Sequence, residues 1–154
     1  MEVISSLIEA HIIRKTGADI EFLLLKRAEN ETYPGVWQMV TGSIDNNEKA
    51  WQAALREIKE ETGLFPEKMW VVPVVNSFYN EIRDQICMVP VFLSLVSENA
   101  EVIISDEHCE YKWTNREETK KLLAWPGQRN AVDVINDYFT KEISLLNFTE
   151  IDFQ

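Results

Sequence analysis

Between Asn46 and Gly63 the chain carries a helix whose surfaces make opposite demands. Asn46 and Asn47 are favoured caps, the stretch from Glu48 to Thr62 is strongly helical, and Gly63 is a favoured stop. Trp51, Ala54, Leu55 and Ile58 recur at i, i+3, i+4 and i+7, an apolar stripe that must pack on the body of a domain. Beside it, Glu57, Glu60 and Glu61 share an arc about 100° wide. They sit in the last turns, where the macrodipole disfavours each exposed carboxylate by about 0.3–1 kcal/mol. Arg56 and Lys59 offset only part of this. Such a cluster calls for a cation, and oxygen-only ligands favour Mg²⁺ or Mn²⁺ over zinc. Taken alone, the same spacing also describes a solvated Glu/Lys-rich face.

Composition narrows the field. The 154 residues, 45% hydrophobic and 27% charged, suit a single domain spanning 1–154 with a core that needs no disulfide framework. Lys+Arg is 15 and Asp+Glu is 26, a net charge of −11. That argues against nucleic acid or an anionic membrane as the main partner, since both require a basic face. A small phosphorylated partner remains compatible if divalent cations lie between it and the protein. Cys87 and Cys109 are too isolated for a zinc cluster and read as two buried thiols in a reducing compartment. Met1 to Ala10 has no basic leader pattern and no apolar run approaches a membrane span, so a soluble cytoplasmic protein is expected. Oligomeric state is not legible.

Periodicity predicts strands at Ser6–Lys15 and Ile20–Lys26 joined by a turn at Thr16-Gly17-Ala18-Asp19, a polar loop over Glu29–Gly35, and a short strand at Val36–Thr41. Two long strands follow at Met69–Asn80 and Ile86–Val96, with Pro73 and Pro90 marking edges or irregularities. Shorter strands are expected at Val102–Ile104 and Glu110–Thr114, then helices at Glu117–Ala124 and Gly127–Glu142, with an unassigned tail after Ser144. The order predicts an α/β layered fold with a mixed sheet rather than a regular βαβ repeat.

The segment Gly42 to Leu64 has a strict pattern. Gly42 is followed after five residues by Glu48, after seven more by Arg56-Glu57-Ile58, then by Glu60-Glu61, Gly63 and Leu64. Average residue frequencies put a chance match at a given start on the order of 10⁻⁹. This segment, 42–64, resembles the Nudix box at every defining position. The resemblance implies the Nudix fold, an α-β-α sandwich with a central mixed β-sheet, and hydrolysis of a nucleoside diphosphate linked to another group. It makes Glu57, Glu60 and Glu61 ligands of Mg²⁺ (or Mn²⁺), with the Gly42 carbonyl as a further ligand. Arg56 and Glu48 would orient the helix and its carboxylates. Asn47 departs from a common glycine, although Asn tolerates left-handed backbone. Thr41 and Asp45 are conservative departures.

The likeness extends further. Trp37-Gln38-Met39-Val40-Thr41-Gly42-Ser43 and Glu107-His108 with Tyr111-Lys112-Trp113 resemble the branch typified by dihydroneopterin triphosphate pyrophosphatase, also described as a dATP pyrophosphohydrolase. By that likeness Glu107 is a metal ligand or the catalytic base, with Asp106 and Glu110 as neighbouring competitors. Arg27 matches a phosphate-contacting position, and Trp37 and Gln38 match a base or pterin pocket. His108 reads as structural, and Arg129 as either a phosphate ligand or a helix cap. The expected reaction splits a triphosphate into a monophosphate and pyrophosphate. The alternatives are the same chemistry on a diadenosine polyphosphate, an oxidised dNTP or a nucleotide sugar, or a non-catalytic nucleotide-binding module.

Overall fold

The computed structural model describes residues 1–154. Its strands are β1 (Glu2–Ile4), β2 (Leu7–Thr16), β3 (Asp19–Arg27), β4 (Trp37–Gln38), β5 (Val40–Ser43), β6 (Lys68–Asn80), β7 (Gln85–Leu95) and β8 (His108–Thr114). The helices are α1 (Ala50–Thr62), α2 (Arg116–Leu122) and α3 (Pro126–Lys141), followed by a 3₁₀ turn over Ile143–Phe148. All eight strands join one mixed sheet. Its centre is β2, parallel to β7 on one side and antiparallel to both β5 and β3 on the other. Strand β6 continues the sheet beyond β7, and β8 pairs with β3.

Each face of this sheet is covered, so β2 is an almost unbroken run of buried residues rather than an alternating one. One core gathers Ile8, Ile12, Leu23, Leu25 and Val40 beneath Ala53, Ala54 and Ile58 of α1. The other gathers Ile13, Phe22, Leu24, Met39, Val91 and Leu93 beneath Ala131, Val132 and Ile135 of α3. The expected α-β-α layering is what forms. Helix α1 packs on Ala53, Ala54 and Ile58, while Trp51 and Leu55 lie half-buried at its margin.

Several local expectations need correction. The helix starts at Ala50, with Lys49 as its N-cap, because Asn47 takes a left-handed φ of 65° and cannot enter the helix. The Lys49 amide instead donates to Gln52 Oε1 at 2.9 Å. Val36–Thr41 is not one strand: Trp37–Gln38 pairs with β3, and Val40–Ser43 crosses to β2. Val102–Ile104 is not a strand either. The Ile103 amide donates to Thr62 O and the Ser105 amide to Glu61 O, so this segment seals the carbonyl end of α1. Cys87 is buried but Cys109 is exposed. The tail packs along the outer edge of β6, the Val71 amide donating to Thr149 O and the Ile151 amide to Met69 O, which covers part of an open edge. No helix is long and apolar enough to cross a membrane.

Ile58 is fully buried where α1 meets the sheet. Ile58→Ala is expected to lower stability by about 2–5 kcal/mol in urea unfolding, and half-buried Leu55→Ala by clearly less.

Candidate active site

Backbone geometry at both ends of α1 aims its acidic side. At the N-terminal end, β5 delivers Gly42 against the helix so closely that a Cβ there would lie 2.6 Å from Glu57 Oε1. Any larger residue there would push the Glu57 carboxyl away from the loop backbone it lies against. At the C-terminal end, Gly63 ends the helix with φ 70°, and the chain leaves toward the segment that returns as residues 102–107. That return places Glu107 beside the helix, where its carbonyl accepts from the Ala28 amide at 3.0 Å.

Arg56 ties the acidic groups together. Its Nε and Nη2 donate to both oxygens of Glu48 at 2.8 and 3.0 Å, Nη2 also donates to Ser43 O at 2.9 Å, and Nη1 reaches Glu57 Oε1 at 2.9 Å and Glu60 Oε2 at 3.3 Å. Glu48 Oε1 further accepts from the Asp45 amide at 3.0 Å. The Arg56 bonds, then the Asp45 amide, hold the Glu48 carboxyl down at about 2. The same Glu48 bonds push the Arg56 guanidinium up. One planar fork thereby joins the loop before the helix to two of its carboxylates.

Glu61 is different. It is 2% exposed, its Oε2 is buried with no hydrogen-bond partner, and its carboxyl is pushed up to about 9. Burial is the main cause, followed by the charges of Glu57 and Glu107, while Arg27 acts in the opposite sense. Glu57 is raised too, chiefly by burial. Ligand atoms of Glu61, Glu107 and His108 lie within 4.8 Å of one another. Three carboxylates facing one another, one with an orphaned buried oxygen, are the donor set that a hard divalent cation fits. Glu60 lies at the exposed rim.

The other expected site residues separate. Arg27 is close enough to influence both Glu61 and His108, and its guanidinium donates to the carbonyl and hydroxyl of Thr32 and lies 3.6 Å from Glu31. Glu110 faces Lys26 at 3.8 Å. Trp37 and Gln38 do not share a pocket, because consecutive strand residues point to opposite faces. Trp37 packs on the α3 side, with Lys112 Nζ 5.3 Å and Lys26 Nζ 6.0 Å from its ring centre. Gln38 is buried, and its Nε2 donates to His108 Nε2 at 3.2 Å. His108 itself lies 3.8 Å from Glu61 and is held down at about 4, by burial first and Arg27 second. Sequence reasoning left His108 outside the site, and only the fold shows its contact with Glu61. Arg129 donates to Leu123 O at 3.0 Å and Ala124 O at 2.9 Å, so its guanidinium ties the loop before α3.

The chain matches the NUDIX domain family over residues 8–135. It belongs to the Nudix family. A bis(5′-nucleosyl)-tetraphosphatase of Caenorhabditis elegans is 31% identical over 112 residues, 72% of this chain and 79% of that protein. The nucleoside triphosphatase NudI of Salmonella arizonae is 31% identical over 108 residues, 63% of this chain and 74% of that protein. The E. coli dihydroneopterin triphosphate pyrophosphohydrolase superposes with a TM-score of 0.68 over 87% of this chain and 95% of that one, and at 24% identity this likeness bears on the fold alone. The present chain is thus a Nudix hydrolase, acting on phosphoric anhydride bonds of nucleotide-like substrates.

Glu61 makes a testable mark on stability. Its carboxyl holds a proton in the folded state up to about pH 9, whereas the unfolded chain releases it near 4.5. Between those values the unfolded state binds fewer protons, so the metal-free protein loses stability as pH rises. The melting temperature without divalent ions is expected to fall from pH 5 to pH 9, and Mg²⁺ to raise it more at pH 8.5 than at pH 6. Glu61→Gln should flatten both trends in thermal melts.

Proposed function

We propose that this Nudix hydrolase is an Mg²⁺-dependent pyrophosphohydrolase. It cleaves a nucleoside-triphosphate-like substrate, dihydroneopterin triphosphate or a purine (deoxy)nucleoside triphosphate, to the monophosphate and pyrophosphate. The observation that carries the reading is the gathering of Glu61 and Glu107 within reach of Glu57, with one buried Glu61 oxygen left without a hydrogen-bond partner. Glu57, Glu60, Glu61 and Glu107, with the Gly42 carbonyl, would hold Mg²⁺ or Mn²⁺. Bound there, a divalent ion neutralises phosphate charge and draws electron density from phosphorus.

The chain's own groups do the rest. Arg56 and Glu48 keep the carboxylates in register through the guanidinium fork. Arg27, bonded to Thr32 in the free protein, would exchange that contact for a phosphate oxygen. Gln38 supports the site from behind by bonding His108. The oxygen of a water bonds to phosphorus, the anhydride P–O bond breaks toward pyrophosphate, and a carboxylate of the cluster takes the water's proton. Placement on a triphosphate is supported by the Trp37–Ser43 and Glu107–Trp113 segments and by the name of the NudI relative. The nematode relative's name favours a second reading, a dinucleoside polyphosphate cleaved by the same carboxylates. The partner is a small phosphorylated molecule in either case, and free thiols at Cys87 and Cys109 suit a cytoplasmic setting.

A substrate panel with Mg²⁺ tests the reading. Dihydroneopterin triphosphate, dATP, dGTP and a diadenosine tetraphosphate are assayed for pyrophosphate and monophosphate release. Pyrophosphate from a triphosphate is the expected result, and preferential cleavage of the dinucleotide would replace it with the second reading. Glu61→Gln is expected to keep its circular dichroism and lose roughly 10²–10³-fold in kcat. Arg56→Lys should weaken Mg²⁺ binding by roughly 10–100-fold, read by titration with Mn²⁺.

A further inference from the structure

The far end of the sheet shows an apolar face to solvent. Strands β6 and β7 run on past the body of the sheet as a long hairpin, and β1 pairs with β7 there. Cross-strand partners share a face, and faces alternate along each strand. Phe92 of β7 belongs to the core beneath α1, so Pro90, Met88 and Ile86 point to that same side. The pairs Val75–Pro90, Tyr79–Ile86 and Val3–Ile86 then bring Val75, Tyr79 and Val3 beside them. Helix α1 packs mainly on β5 and β2 and leaves this end open. Val3 is 67% exposed, Val75 56%, Tyr79 54% and Met88 37%.

The face is also free of charge. Its one further member is Ser77, the partner of Met88, and the charged residues Glu81, Arg83 and Asp84 are confined to the turn at its rim. In a chain that is 27% charged, a contiguous apolar surface of this kind marks a place where something docks. Tyr79 is held ready, because its hydroxyl donates to Asp84 Oδ1 at 2.9 Å and fixes the ring across the end of the hairpin. A ring already fixed loses little freedom when it is covered.

The chemistry of the face selects its occupant. Nucleic acid or an anionic membrane requires basic residues, and a basic protein is met by acidic ones. The face offers neither. Two copies of a chain with net charge −11 repel each other, and they can approach closely only where neither presents charge. A pleated face fits a second pleated face packed about 10 Å away. The exposed apolar area of these side chains is on the order of 500 Å², and the turn with Ile82 at its rim brings it toward the roughly 800 Å² per partner that a stable interface buries.

We propose that the face formed by Val3, Val75, Tyr79, Ile86 and Met88 is a homodimer interface, on which two copies pack their hairpins face to face about a twofold axis. Such a contact is isologous, so one patch serves both copies and no second complementary surface is required. The inference is independent of which phosphorylated substrate the chain cleaves.

Sedimentation velocity over a concentration series tests it. The unmodified chain is expected to form a dimer of twice 17.9 kDa at micromolar concentrations. Val75→Glu and Met88→Glu each put a charge on the face and are expected to weaken dimerisation by at least about 10-fold. Phe78→Glu puts the same charge on the opposite side of the same strand, where Phe78 pairs with Cys87, and is expected to leave the dimer intact. Hydrogen exchange on the unmodified protein needs no variant to fold. The amides of residues 75–79 and 86–88 are expected to exchange more slowly at high than at low protein concentration. A monomer at every concentration overturns the proposal, as does exchange that ignores concentration. A dimer that Phe78→Glu weakens as much as Val75→Glu, or an open-ended series of larger assemblies, overturns it too.

Discussion

A single guanidinium makes the acidic side of α1 tolerable. Arg56 spans from Glu48 and the Ser43 carbonyl before the helix to Glu57 and Glu60 within it. Without that fork the loop would have no charged anchor, and the carboxylates would splay to escape one another and the helix dipole. The compensation is deliberately incomplete. It reaches the outer carboxylates and leaves Glu61 buried, proton-holding and short of a partner. An acidic protein with a hole in its charge pairing is suited to a divalent cation and, through it, to an anion that its own −11 charge would otherwise repel.

The sheet divides the remaining work between its faces. On the α1 side, Gln38, His108, Glu61 and Glu107 assemble around the carboxylates. On the α3 side, Trp37 and the Glu9–His11–Asn76 network form a separate polar and aromatic environment. Strand β5 joins them, because Thr41 pairs with Glu9 while Gly42 touches Glu57.

Elements with strong local signals were legible in the sequence. The β2–β3 hairpin, the stop at Gly63 and the long β6–β7 pair follow from turn chemistry and periodicity. Pro73 was read as an irregularity, and the β6–β7 register shifts between Val71 and Val75. The misses occur where a distant partner decided the outcome. Val102–Ile104 has strand composition but spends its amides on the end of α1. Val36–Thr41 looks continuous but serves two different neighbours. Glu9 and His11 gave a usable signal, two polar side chains inside the otherwise apolar run Ile8–Ile13, which a strand buried on both faces would make conspicuous.

By itself the sequence determined the box helix, its stop at Gly63 and the spacing of its carboxylates, because those depend on contacts within a few residues. It also determined the family, since the box pattern is too specific to arise by chance. Only the tertiary structure decided that Glu107, rather than Asp106 or Glu110, joins Glu61, that Trp37 and Gln38 face apart, and that Arg129 is occupied by loop carbonyls. Those outcomes turn on which strand lies beside which and on how a long loop closes over a helix end. Short-range pattern cannot encode such distances, and packing settles them.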